Sequence, residues 1–197
     1  MTGFDNPLLI ELDESFETER LVIRAPRAQD GPALHEAIVE SFEALHRWIP
    51  WATHVPTTGE AMAMARRDAA RWALREDLRM LLFRKDDGAL AGGCGLYRIN
   101  WRVPRFEVGY WLRTSMEGQG YMTEAVRGMT RWAFEGLGAA RVDLHCDSRN
   151  AGSMRVAERC GYQLEATLRQ CRRDSAGDLL DLCIFAITRA EYAAVYG

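Results

Sequence analysis

The run Glu117-Gly118-Gln119-Gly120-Tyr121-Met122-Thr123-Glu124-Ala125 concentrates the chemistry of this chain. It follows a stretch with strand character and opens a helical pattern. Backbone N–H groups at a helix start have no intrahelical partner, and they sit at the positive end of the helix dipole. Gly118 and Gly120 let the backbone fold tightly and approach a diphosphate, and the Thr123 hydroxyl offers one more donor. The spacing excludes two familiar phosphate sites. No Gly-Lys-Ser/Thr follows, so this is not a P-loop, and a dinucleotide fingerprint would need a glycine where Thr123 stands. Cysteine and histidine suggest no metal chemistry. Cys94, Cys146, Cys160, Cys171 and Cys183 are odd in number and scattered, without a CxxC, and His35, His46, His54 and His145 form no HExxH. No metal site is expected; the thiols read as reduced side chains of a cytoplasmic protein.

The elements that must position this loop follow from periodicity. Phe16 to Arg24 reads as a first strand, stopped by Pro26. Asp30 and Pro32 suit a helix start, with Leu34, Ala37, Ile38 and Phe42 on one face. An aromatic stretch, Leu45 to Trp51, is interrupted by Pro50. From Gly59 to Arg75 apolar residues recur at helical spacing, and Arg66, Arg67, Arg71 and Arg75 read as a solvated face. Leu78 to Arg84 and Ala89 to Ile99 are strands about the hairpin signal Asp86-Asp87-Gly88. Gly92, Gly93 and Gly95 inside the second predict a close approach by another backbone, a helix or a ligand. Phe106 to Leu112 is a further strand, and the glycine loop then runs into a helix. Arg141 to Asp147 alternates, with Val142, Leu144 and Cys146 on one side and Asp143, His145 and Asp147 on the other. Asn150 caps a short helix that Gly161 stops. Tyr162 to Arg169 and Leu179 to Ile187 are the last strands, turning near Gly177. The order β-α-α-α-β-β-β-α-β-α-β-β describes an α+β fold with a mixed, mostly antiparallel sheet.

The 197 residues suit one domain spanning 1–197. A formal net charge of only -3 argues against nucleic-acid and membrane partners. No apolar run reaches the roughly 20 residues of a membrane helix. Met1 to Asn6 lacks the basic and apolar regions of a secretion leader.

Four motifs in order resemble the GNAT acetyltransferase superfamily, in its RimJ/RimL branch. Glu17-Thr18-Glu19-Arg20-Leu21-Val22-Ile23-Arg24 resembles the branch's first strand, and Ser41 to Trp51 its tryptophan-rich second helix. Gly-Tyr-Trp-Leu followed by Gly-Gln-Gly-Tyr-x-Thr-Glu-Ala resembles its acetyl-CoA motif. Asn150-x-x-Ser153 and Glu158-Arg159-Cys160-Gly161-Tyr162 resemble its second motif. The resemblance covers Phe16 to about Tyr192. It implies a GNAT fold, with helices on both faces of the sheet and a V-shaped splay between the Phe106–Leu112 and Arg141–Asp147 strands. The pantetheine arm of acetyl-CoA would pair there with backbone of Tyr110, Trp111 and Leu112. The backbone from Glu117 through Gly118, Gln119, Gly120, Tyr121 and Met122 to Thr123 would take the pyrophosphate, and Asn150 would hold the pantetheine from the other side. Two residues depart from the family pattern. Glu117 puts a carboxylate near a pyrophosphate and contributes backbone only; Met122 replaces glycine or alanine and is expected to crowd the helix start.

The implied reaction is acetyl transfer to a primary amine by direct attack in a ternary complex. The acceptor is a protein N-terminus, such as that of a ribosomal protein, or a small molecule. An α-amine has pKa near 8 and lysine about 10.4, so a base must take a proton. Glu107, on the cofactor strand, matches an acidic position of the branch and is the first candidate; Asp77 is the rival. The tyrosine that protonates the thiolate in many relatives falls at Ala157, leaving Ser153 as the hydroxyl nearest the sulfur. Trp48 and Trp51 would line the acceptor cleft. The branch also implies a homodimer. An alternative is a non-catalytic acyl-CoA sensor that kept the coenzyme site and lost the chemistry.

Overall fold

A computed structural model of the protein describes residues 6–174 and 177–197. The reading of residues 1–5 as carrying no leader lies outside the described residues. The strands are β1 (Ser15–Glu17), β2 (Leu21–Arg24), β3 (Leu78–Arg84), β4 (Leu90–Asn100), β5 (Arg105–Leu112), β6 (Arg141–Asp147), β7 (Gln163–Arg173) and β8 (Leu179–Thr188). The helices are α1 (Gly31–Trp48), α2 (Thr58–Ala73), α3 (Tyr121–Arg131), α4 (Ala151–Arg159) and α5 (Arg189–Tyr196). A π-helical turn, Trp132–Gly136, extends α3.

Local chemistry accounts for three departures from the expected order. The first strand is two: the Thr18 N–H donates to Leu21 O across 2.9 Å and folds β1 back on β2. The helix at Asp30 and the tryptophan-rich segment form one helix, α1, because Leu34, Ala37, Ile38, Ser41 and Leu45 keep one buried face in phase until Trp48. Two helices therefore precede β3, not three. The unexpected α5 starts at a capping box, in which the Thr188 side chain accepts from the Glu191 N–H and the Glu191 carboxylate accepts from the Thr188 N–H. The arginine face also divides. Arg66 and Arg67 are exposed, but α2 ends before Arg75, which adopts φ +58 and donates to Trp72 O and Ile10 O.

The eight strands form one sheet in the order β1-β2-β3-β4-β5-β6-β8-β7. All neighbours are antiparallel except β5 and β6, which pair in parallel from Arg105↔Arg141 to Val108↔Leu144 and no further. Each strand continues, held only from its outer side: β5 by β4 as far as Gly92↔Leu112, β6 by β8 as far as Asp147↔Leu182. Their facing edges part, which is the V-shaped splay. Helices cover both faces. Leu78, Met80 and Leu82 of β3 join Phe106, Val108 and Leu144 and the α3 residues Ala125, Val126 and Met129 in the main core. Leu81, on the alternate face, packs with Leu90 under Leu34 and Ala37 of α1 and Ala61 and Ala65 of α2. The glycines of β4 serve this packing. A Cβ on Gly95 would stand 2.8 Å from Arg79 Cα, and one on Gly93 would stand 2.6 Å from the Trp111 indole nitrogen. The close approach expected there comes from a neighbouring strand and a tryptophan. No described helix is long and apolar enough to cross a membrane.

One carboxylate ties the first hairpin to α3. Glu124 accepts from Thr18 Oγ1 at 2.5 Å, from the Arg20 N–H at 2.7 Å and from Arg20 Nε at 2.7 Å. Burial pushes its carboxyl up, but these three donors and the guanidinium charge outweigh burial and hold it below the ordinary carboxylate value. Glu124→Ala should therefore cost about 2 kcal/mol, read as a lower urea midpoint. A depressed folded-state value places this contribution above the unfolded pKa of about 4.3 and removes it as pH falls through the folded value. The gap between the two proteins should close on acidification, and a constant gap would mean that Glu124 acts only by packing.

Candidate active site

The glycine loop has the geometry of an anion cradle. After a single 3-10 turn, Thr114–Met116, the chain passes Gly118 at φ +73 and Gly120 at φ +83, a region that residues with a Cβ enter at a cost. Gly120 then starts α3. The first intrahelical bond runs from the Glu124 N–H to Gly120 O at 3.1 Å, so the N–H groups of Tyr121, Met122 and Thr123 precede the ladder and point out of the helix end. The loop is braced from two sides. Arg20 Nη1 donates to Gln119 O at 2.9 Å, and its guanidinium lies 4.3 Å over the Tyr121 ring. On the other side α1 holds the segment: the Ser115 N–H donates to Glu40 Oε1 and the Thr114 N–H to Ser41 Oγ, both at 3.0 Å, and Arg113 pairs with Glu36 and Glu40.

Below the loop the parted strands open a cleft of about 920 Å³. Its walls are the end of α1, β5 from Val108 to Leu112, β6 from His145 to Asp147, and the start of α4. Tyr110, Trp111, Leu112, Glu117, Gly118, Gly120, Met122, Thr123, Asn150 and Ser153 all line it. Gln119 and Tyr121 do not. Gln119 donates to Ser115 O at 3.1 Å, and the Tyr121 side chain is buried in the core. Met122 does not crowd the helix start: its side chain packs into the main core, 7 % exposed. Glu117 is exposed. Asn150 Oδ1 accepts from the Ser153 N–H at 3.0 Å as the cap of α4, and the Tyr110 hydroxyl reaches the same turn, donating to Ser153 O at 3.5 Å. Ala157 is fully buried in the core. Cys146 also faces the cleft; burial pushes its thiol up to about 12, so it stands there as a neutral thiol. Trp48 lines the mouth, whereas Trp51 is 41 % exposed and stands apart from it.

The two carboxylates proposed as bases have different neighbours. Asp77 is 3.0 Å from Arg71 Nη1 and 3.6 Å from Arg79 Nη2, away from the cleft. Glu107 lies behind the cleft wall, its Oε2 3.0 Å from His145 Nδ1 and 3.3 Å from Arg98 Nε. Burial pushes the Glu107 carboxyl up, but His145 and then Arg98 and Arg172 outweigh that and hold it below the usual value. It is His145 that reaches the cleft. Arg20 and His145 were not among the residues expected at the site. The alternation of β6 already set His145 on the polar side, but the neighbour it would meet was not legible.

A glycine-braced helix start beside a parted parallel strand pair is the arrangement expected of a GNAT acetyltransferase. Residues 20–163 match the acetyltransferase (GNAT) domain family, and the chain belongs to that family. It is 24% identical over 180 residues to p20 of Bacillus licheniformis, an uncharacterized N-acetyltransferase, covering 91% of this chain and 99% of that one. It is 31% identical over 90 residues to the ribosomal-protein-serine acetyltransferase of Escherichia coli, covering 46% of this chain and 49% of that one. The solved structure of RimL, a ribosomal-protein alpha-N-acetyltransferase, in complex with coenzyme A superposes with a TM-score of 0.81 at 25% identity, covering 89% of this chain and 98% of that one.

The cap role of Asn150 has its own test. Asn150→Ala should cost about 1 kcal/mol and Asn150→Asp much less, since aspartate caps as well. Equal losses in thermal melts of the two variants would show that the side chain is held by something other than the Ser153 N–H.

Proposed function

We propose that the protein transfers the acetyl group of acetyl-CoA to a primary amine by direct attack in a ternary complex, and that the acceptor is a protein N-terminal α-amine, such as that of a ribosomal protein. The observation that carries this reading is the unpaired inner edge of β5 from Gly109 to Leu112, which opens onto the cap of α4 and leads to the glycine loop. An extended pantetheine arm carries amides that can pair with such an edge as an added strand does. Its pyrophosphate would meet the N–H groups from Gly118 to Thr123, where the helix dipole is positive. Asn150 would close on the arm from α4, and Ser153 would stand near the sulfur. The acceptor enters from the α1 side past Trp48. Its attack forms the C–N bond as the C–S bond breaks, and backbone N–H groups near Val108 to Tyr110 would steady the oxyanion. The names of the ribosomal-protein relatives support an N-terminal acceptor.

The reading extends to the whole chain as one domain, 1–197, acting in the cytoplasm as a homodimer. Exposed Leu164 and Leu168 on β7 and Leu179 on β8 offer a second copy an apolar surface; light scattering that reports a monomer at tens of micromolar counts against the dimer.

The test is free-thiol release from acetyl-CoA with a panel of serine- and alanine-initiated peptides and small amines. Wild type should release thiol with at least one peptide. Gly120→Asp should bind acetyl-CoA at least a hundredfold more weakly by calorimetry, because it sets a like charge against the pyrophosphate; aspartate tolerates the left-handed backbone there, so the fold should persist. Coenzyme binding without turnover of any amine would identify an acyl-CoA sensor instead.

A further inference from the structure

We propose that His145 is the general base that faces the acceptor amine, and that Glu107 acts through it as a positioning residue. This rests on the acetyl-transfer reading above and names the proton path within that site.

The geometry separates the two residues by their access. Glu107 and His145 stand on adjacent strands, where β5 and β6 are about to part: their last paired residues are Val108 and Leu144, so His145 is the first residue of β6 beyond the pairing. The His145 side chain, 10 % exposed, lines the cleft, while that of Glu107, 19 % exposed, is not part of the cleft wall. A carboxylate that does not line the cleft is placed to act on the amine through a neighbour that does. The imidazole stands between the two. Nδ1 is 3.0 Å from the Glu107 carboxylate, and Nε2, at the other end of the ring, is buried with no hydrogen-bond partner among the described residues. An orphaned buried nitrogen costs about 1–3 kcal/mol. The arriving amine, or a single water between, supplies the missing partner.

The charges around the ring favour this division of work. Among the described residues, Glu107 is the carboxylate at contact distance from the ring. Arg98 on β4 and Arg172 on β7 keep it ionised. On the same strand Asp143 is bound by Arg105 and Arg141, and Asp147 by Arg149. Ile184, opposite on β8, is uncharged. Glu43 and Arg47 on α1 and Arg155 and Arg159 on α4 line other parts of the cleft. An anion kept at Nδ1 stabilises the imidazolium that forms when Nε2 accepts a proton. The step balances simply. The ammonium of the acceptor gives one proton to Nε2 and becomes a neutral amine. The amine forms the C–N bond, the C–S electron pair leaves on sulfur, and the second amine proton passes to the thiolate. His145 then returns its proton to solvent.

The experiment compares wild type, His145→Gln and Glu107→Gln by thiol release, using the serine-initiated peptide or other amine that wild type turns over, across pH 5 to 9. Acetyl-CoA affinity by calorimetry should be unchanged in both variants, which also reports that they fold; His145→Asn is a second variant should His145→Gln fail to. His145→Gln should lose about a hundredfold or more in kcat near neutral pH, with the loss shrinking as the amine deprotonates unaided. Glu107→Gln should lose less, and the acid limb of its kcat/KM profile should move to lower pH, because removing the anion disfavours the imidazolium. Near-full activity in His145→Gln with activity lost in Glu107→Gln overturns the proposal and returns the base to Glu107, leaving acetyl transfer intact. Unmoved profiles in Glu107→Gln overturn its positioning role. No thiol release by wild type with any amine overturns the acetyl-transfer reading and this assignment together.

Discussion

The parting of β5 from β6 is the constraint on which the rest of this structure depends. Backbone groups in a sheet seek partners, and leaving them without any is costly. Here each of the two strands is anchored on its far side over its full length, so the inner edges separate without unravelling the sheet. The result is a slot with main-chain donors and acceptors on one wall and the N-terminus of α4 on the other. Everything around the slot holds it open. Tyr110 reaches across to the first turn of α4, and Trp111 spreads over Gly93 toward α1.

The glycine loop depends on the same constraint, because β5 delivers the chain to it. A loop with two left-handed glycines has little rigidity of its own. Its shape comes from two outside clamps, Arg20 with Glu124 and α1 through Glu36, Glu40 and Ser41. Arg20 joins three functions in one side chain: an ion pair, a bond to the loop carbonyl of Gln119, and a stack on Tyr121. A pre-ordered loop of this kind loses less entropy on binding a ligand than a mobile one.

The narrow end of the slot holds buried charge. Asp143 sits there nearly inaccessible between Arg105 and Arg141, one residue before the last β5–β6 pair. Glu107 is its partner across the pair, and His145 lies two residues further along β6. Buried ions are tolerated only when paired. Asp77 and Asp143 are each held by two guanidinium groups. Glu107 is shared between Arg98 and the ring of His145, which lines the cleft.

Local sequence sets whatever depends on near neighbours. Helix faces, the Asn150 cap, the Gly88, Gly161 and Gly177 turns and the helix start after Gly120 are set by residues within about four positions, and each was legible. The capping box Thr188-x-x-Glu191 is an equally local signal for the start of α5. The β1–β2 turn was less legible, because what fastens Thr18 and Arg20 is Glu124, far along the chain. The alternation of β6 gave the side of the sheet on which His145 lies, but period two says nothing about the neighbouring strand. That β5 lies beside β6, in a register that pairs Glu107 with Asp143 and leaves its carboxylate 3.0 Å from His145 Nδ1, is decided by the tertiary structure. So is the fate of Met122, which turns into the core instead of crowding the loop. Such contacts join residues remote in the chain, and the fold selects them by packing the whole sheet at once, which no local pattern encodes.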